Sequence, residues 1–209
     1  MRRILGLLLL LCCMGATQAA PSKVVLVLGD SLSAAHNIAT EQGWVHLLEV
    51  RLGEMEPGWT AINASISGET SLSGRNRLPA LLAKYKPGVV VIELGANDGL
   101  RGLPLPALRD NLASMIDAAQ HAGARVLLLG IELPVNYGPQ YRDGLRAVYA
   151  ELAKQKRTGL VPFLLDGVAL DPTLMQDDGL HPRAAGEPRV LDNVWGGLRP
   201  LLRVKDGAP

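Results

Sequence analysis

The residues most suited to chemistry in this chain are Ser31, Asp178 and His181. Ser31 comes directly after the apolar run Val24-Val25-Leu26-Val27-Leu28 and the pair Gly29-Asp30. Such a run reads as a strand buried on both faces, and the hydroxyl therefore sits at a strand's carboxyl end, where open α/β sheets bind ligands. From these residues alone, Asp30 and Ser31 suit the cap of a following helix equally well. A serine hydroxyl is a weak nucleophile at its own pKa and needs a base to take its proton and an acid to orient that base. The segment Asp177-Asp178-Gly179-Leu180-His181-Pro182 places a carboxylate and an imidazole three residues apart across a glycine-containing turn. The two can meet locally and face Ser31 together.

Attack on a carbonyl also needs donors where its oxygen becomes negative. The backbone N–H of Ser31, the backbone N–H of Gly68 and the side-chain amide of Asn97 are candidates, each in a loop expected at a strand end. Gly68 lets a substrate come close to the main chain. Asn97 taken alone reads better as a loop residue bonding its own turn with Asp98. Leu100, Leu103, Pro104 and Leu105 offer an apolar lip for an acyl chain, as readily as ordinary loop packing, and His36 lies near enough to Ser31 to be a candidate substrate contact.

Other chemistries find less support. A metal hydrolase built on Asp177, Asp178 and His181 lacks converging histidines, because His36, His46 and His121 fall on unrelated elements. A module holding phosphate or a nucleotide at the helix after Ser31 lacks a Walker or dinucleotide glycine pattern, and Asp30 would repel the anion. No Gly-x-Ser-x-Gly is present, since Ser33 stands where the second glycine would be. The expectation is a softer turn leading into a helix rather than a sharp nucleophile elbow.

These groups must be positioned by a chain of 209 residues, 48% hydrophobic and 20% charged, which suits one domain with an aliphatic core, aromatics being only 4%. Residues 1–19 differ from the rest. Arg2 and Arg3 precede the apolar run Ile4 to Cys13, and Thr17-Gln18-Ala19 offers small residues for cleavage before Ala20, the pattern of a secretory signal. Loss of Arg2 and Arg3 takes the net charge from +1 to −1, and loss of Cys12 and Cys13 leaves no thiol. A periplasmic or secreted chain without an integral membrane segment is expected, 20–209 forming a single domain. Scattered cations give no case for nucleic acid, and nothing in the pattern requires more than a monomer.

Along the mature chain the expected strands are Val24–Leu28, Trp59–Asn63, Val89–Leu94, Val126–Gly130 and Val161–Leu165. Between and after them, helices are expected over Glu41–Leu52, Arg75–Tyr85, Leu108–Ala122, Tyr141–Lys156 and Ala184–Leu202, with a surface loop over Leu100–Pro106 and an irregular stretch from Asp166 to Pro182. This alternation demands parallel strands with helices on both faces, a three-layer α/β/α domain.

The segments Gly29-Asp30-Ser31-Leu32-Ser33, Asn63-Ala64-Ser65-Ile66-Ser67-Gly68, Gly95-Ala96-Asn97-Asp98 and Asp178-Gly179-Leu180-His181-Pro182 together resemble the four blocks of the GDSL/SGNH hydrolase superfamily. The chain is similar to its bacterial thioesterase, arylesterase and lysophospholipase branch over nearly all of its mature length. The resemblance implies a flavodoxin-like fold with a five-stranded parallel sheet. It also implies hydrolysis of small-molecule acyl esters and thioesters without metal or cofactor, with a short-chain or carbohydrate acetyl esterase as the alternative. By the same resemblance Ser31 matches the nucleophile, His181 the base, Asp178 its orienting acid, and Gly68 and Asn97 the oxyanion donors beside the Ser31 N–H. Two departures bear on substrate preference. Ala96 stands where relatives usually carry a second glycine, and Ala35-His36 where they often have glycine and an aromatic residue.

Overall fold

A computed structural model describes residues 22–203. The signal reading of residues 1–19 and its cleavage point lie outside the described residues. Among the described residues no helix is long and apolar enough to cross a membrane.

Five parallel strands form one sheet in the order β2-β1-β3-β4-β5: β1 Val24–Gly29, β2 Thr60–Asn63, β3 Val89–Glu93, β4 Arg125–Leu129 and β5 Gly159–Val161. The aliphatic runs Val25–Leu28, Val89–Ile92 and Leu127–Leu129 are fully inaccessible to solvent, as strands covered on both faces must be. Helices α1 (Trp44–Met55) and α6 (Glu187–Leu202) pack together on one face. The other face is covered by α2 (Ser71–Tyr85), α4 (Leu105–His121) and α5 (Pro139–Lys156), while the short α3 (Ala96–Leu100) follows β3. Trp44 and Trp59 are core residues, and the half-buried Trp195 packs against the core with the Arg51 guanidinium 5.6 Å above its ring.

The boundaries depart from the sequence reading where small residues set them. Residues Thr40–Gln42 form one 3-10 turn, and α1 begins only after the extended Gly43. The α2 helix starts four residues earlier than its apolar stripe, because the Thr70 hydroxyl accepts the Ser73 N–H and caps it. The expected Leu100–Pro106 loop shrinks to the link between α3 and α4, and α6 begins at Glu187 rather than Ala184. The last strand ends at Val161 instead of beginning there, since Pro162 has no N–H to continue the ladder. Leu164 and Leu165 are buried as loop residues. The irregular stretch is pinned by an antiparallel bridge between Met175 and Pro182, with the Gln176 N–H donating to the His181 carbonyl at 2.8 Å.

Candidate active site

In the order 2-1-3-4-5 the chain reverses direction across the sheet between β1 and β3, and at that switch point the carboxyl ends of the strands leave a crevice. Ser31 follows β1, Gly68 lies in the loop after β2, Asn97 follows β3, and Asp178 and His181 lie between β5 and α6. His181 Nε2 is 2.8 Å from Ser31 Oγ, and His181 Nδ1 is 2.8 Å from Asp178 Oδ2. The other carboxylate oxygen, Oδ1, accepts the Leu180 N–H at 2.8 Å and the His181 N–H at 3.1 Å. What burial Asp178 has pushes its carboxyl up, but the Leu180 N–H, the His181 ring and the His181 N–H overcome it and hold the group down at about 2. An ionised carboxylate there fixes the Nδ1–H tautomer and leaves the Nε2 lone pair for the serine proton. Ser31 sits in a run of turns, with the Ala34 N–H donating to the Asp30 carbonyl at 3.0 Å, and the following helix begins only at Trp44.

The oxyanion candidates Gly68 and Asn97 do not have equal freedom. Gly68 adopts φ +80°, a conformation suited to glycine, and lies exposed. Its loop is braced by Glu69, whose Oε1 accepts from Arg77 Nε at 2.7 Å, while the same guanidinium reaches the Ala64 carbonyl at 2.7 Å. Asn97 Nδ2 donates to Asp30 Oδ2 at 3.0 Å and to the Glu69 carbonyl at 3.1 Å, so both amide hydrogens are engaged. Asp98 does not close a turn on Asn97. It is buried and accepts the N–H and hydroxyl of Ser71, at 2.8 and 2.5 Å, which anchors α3 to the start of α2.

Beneath the serine loop lies a feature that sequence reasoning missed, a wholly buried pair of carboxyls, Asp30 and Glu93. Glu93 Oε2 accepts the Asp30 N–H at 3.1 Å and the Ser33 hydroxyl at 2.8 Å, and Asp30 Oδ1 accepts the Leu32 N–H at 3.0 Å. Burial, and then the charge of Asp30, push Glu93 well above the usual carboxylate range. Burial lifts Asp30 to about 6 against the Leu32 N–H and the Asn97 amide, which favour its charged form. The favoured arrangement is a neutral Glu93 under an ionisable Asp30. Gly29 is required by this packing, because a Cβ there would lie 2.7 Å from both Glu93 Oε2 and Ser33 Oγ. A glutamate ending an otherwise apolar strand was the one available signal.

Ser31, Asn97 and His181 open onto a cavity of about 100 Å³ whose wall is largely apolar. Of the expected lip, Leu100 lines it, whereas Leu103 and Pro104 do not: the Gly102 turn (φ +63°) carries them away into the link before α4. The wall is completed by Leu32 and Ala96 and by residues not singled out from sequence: Ile131, Glu132, Leu133 and Pro134 after β4, Phe163 and Leu165 after β5, and Leu180. The run Ile131–Pro134 directly after a buried strand was the pattern that could have found part of it. His36 is not in this wall. Its ring lies against that of His181, centroids 4.3 Å apart and planes tilted by 36°. The expectation that no histidine converges on Asp178 and His181 is therefore corrected. The chain folds back because Ala35 and Asn37, flanking His36, take left-handed φ of 57° and 56°.

Residues 27–188 match the model of the GDSL-like Lipase/Acylhydrolase family. The chain is 54% identical over 186 residues to a Pseudomonas aeruginosa protein named Esterase TesA, covering 89% of this chain and 92% of that one. It is 40% identical over 185 residues to the Escherichia coli protein named Thioesterase 1/protease 1/lysophospholipase L1, covering 88% of each. A solved structure of the psychrotrophic esterase EstA from Pseudoalteromonas sp., inhibited by monoethylphosphonate, superposes with a TM-score of 0.82 at 39% identity, over 86% of this chain and 98% of that chain. Sheet order, the strand-end segments that carry Ser31, Asn97 and His181, and these likenesses agree: the chain belongs to the GDSL-like lipase/acylhydrolase family.

Proposed function

We propose that the protein is a serine hydrolase that cleaves acyl esters and thioesters, arylesters, acyl-CoA thioesters and lysophospholipids among them, through an acyl-enzyme intermediate on Ser31. The observation that carries this reading is the unbroken contact from Ser31 Oγ to His181 Nε2 and from His181 Nδ1 to Asp178, opening on an apolar cavity. Ser31 Oγ attacks the carbonyl carbon while His181 Nε2 takes its proton. Asp178, held ionised, stabilises the resulting imidazolium. The oxyanion is met by the N–H groups of Ser31 and Gly68, and by Asn97 sharing one of its two engaged hydrogens. His181 then protonates the leaving alcohol or thiol. In the second half water gives its proton to His181 and attacks the acyl-serine, and His181 returns that proton to Ser31 Oγ as the acid leaves. The names of the relatives, esterase and thioesterase/lysophospholipase, support both oxygen and sulfur esters as substrates.

The largely apolar wall beside Ser31 supports the acyl group as the part of the substrate held there. All the proposed groups come from one chain, so a monomer suffices. The mature form is proposed as a single domain from Ala20 onward, exported to the periplasm or beyond, on the strength of the residue 1–19 pattern.

The deciding experiment is initial rates of the mature protein and its Ser31→Ala variant on p-nitrophenyl and acyl-thioester substrates from acetyl to palmitoyl. Loss of about 10³-fold or more in kcat is expected for the variant, the nucleophile being irreplaceable while binding and oxyanion donors persist. Equal turnover by the two proteins would overturn the assignment.

A further inference from the structure

We propose that His36, His181 and Asp178 form a binding site for a divalent transition metal of the zinc class, and that its occupancy shuts down the serine chemistry. The inference rests on the proposed role of His181 only for its second half; the binding site stands on geometry. One ligand atom from each of the three side chains lies within 4.8 Å of the others. Zinc bonds nitrogen and oxygen at about 2.0–2.2 Å, so atoms this close reach one ion after side-chain rotations of about an ångström. Two imidazoles and one carboxylate leave a fourth position for water, and this donor set selects zinc, cobalt, nickel or copper over magnesium or calcium.

The backbone holds these ligands together from both sides. The left-handed Ala35 and Asn37 turn His36 inward, and Gln176 Nε2 donates to the His36 carbonyl at 2.8 Å and to the Pro182 carbonyl at 2.9 Å. One side chain thereby ties the His36 loop to the His181 loop. Asp178 is exposed and His36 and His181 are half-buried, so an ion reaches them from solvent. The other two histidines of the chain, His46 and His121, are exposed on α1 and at the end of α4, away from this cluster.

Inhibition follows from the chemistry of a neutral imidazole, which has one lone pair and one N–H. If the metal takes His181 Nε2, the lone pair that would accept the Ser31 proton is used directly. If it takes Nδ1, the ring's single proton must sit on Nε2, which then donates towards Ser31 and cannot act as base. Coordination also draws Asp178 from its place on Nδ1. Either way Ser31 keeps its proton while the metal is bound.

The test is a calorimetric titration of Zn²⁺ into the wild-type protein and into His36→Phe and Ser31→Ala, with p-nitrophenyl acetate hydrolysis followed at the same zinc concentrations. Each rate is normalised to that protein's own zinc-free rate. One zinc per chain is expected in wild type and in Ser31→Ala, with inhibition of wild type tracking occupancy and reversed by EDTA. His36→Phe is expected to weaken binding, and to raise the half-inhibitory zinc concentration, by about tenfold or more, the range that loss of even an outer partner costs a metal site. His36→Gln serves in its place if the Phe variant does not fold. Equal zinc affinity in wild type and the His36 variant, equal binding of Mg²⁺, or bound zinc that leaves hydrolysis untouched would overturn the proposal. A wild type that binds zinc through His36 but hydrolyses no ester refutes the hydrolase reading and leaves the metal site standing.

Discussion

Asp178 is exposed to solvent and His181 half-buried, and yet the two are tightly defined. Their contact is local, three residues apart, and the carboxylate accepts three hydrogen bonds from its own turn. That locality is why the pair was legible in sequence. Ser31 was legible for a different reason, as the first hydroxyl beyond a buried strand. The Asp30–Glu93 pair and the His36–His181 contact were not, because each joins residues far apart in the chain and no local pattern announces a meeting made by the sheet or by a folded-back loop. Asp178→Asn tests the division of labour within the site. The amide keeps the shape but cannot hold an imidazolium, and it donates where the carboxylate accepted, so the Nδ1–H tautomer is lost. The expected result is a fall in kcat of about 10²–10⁴-fold with KM little changed and Ser31 still present. A variant within a few-fold of wild type would mean that His181 is oriented by something other than Asp178.

At the scale of elements, the alternation of apolar runs with amphipathic stretches sufficed to read five strands, their parallel sense and the layering, while their ends were decided by single residues such as Thr70, Gly43 and Pro162. One junction could not be read at all. Glu187, the first residue of α6, is buried and its Oε2 accepts the N–H of Trp44, the first residue of α1, at 2.8 Å, so a carboxyl from the start of one helix caps the start of the other. Burial lifts this group to about 7, from an ordinary 4.5, against the Trp44 N–H that favours its charge. Between those two values the unfolded chain ionises while the folded one stays protonated. The contribution is therefore fully present below about pH 4.5 and lost as pH rises through 7. Glu187→Gln, neutral throughout and still able to accept from Trp44, removes this dependence. The thermal midpoint of wild type is expected to fall relative to Glu187→Gln between pH 4.5 and 7.5, by an amount corresponding to roughly 1–3 kcal/mol. A gap that stays constant over that range would show that Glu187 does not titrate there. Asp30, raised to about 6, acts in the same direction in both proteins and cancels from the comparison.

On the scale of the whole molecule, the parallel sheet brings the ends of strands that are distant in sequence to one edge, and the work is divided among them. The segments after β1, β2 and β3 carry the proposed nucleophile and oxyanion donors and the one after β5 the proposed base and its acid, while most of the cavity wall comes from Ile131 and Leu133 after β4 and Phe163 and Leu165 after β5. Acyl preference can therefore change without touching the reacting groups. Phe163, the only phenylalanine in the chain, is half-buried and borders both core and cavity, so truncating it enlarges the pocket at less than the about 3–5 kcal/mol that a fully buried ring would cost. Phe163→Ala is expected to move the optimum of kcat/KM towards longer acyl chains and to lower it for acetyl esters, each added methylene being worth about 0.8 kcal/mol where it finds apolar cover. The measurement is kcat/KM across the acetyl-to-palmitoyl series for both proteins. An unchanged optimum would mean that the acyl chain lies elsewhere, along the open surface beside Leu103 and Pro104 rather than in the cavity beneath Phe163.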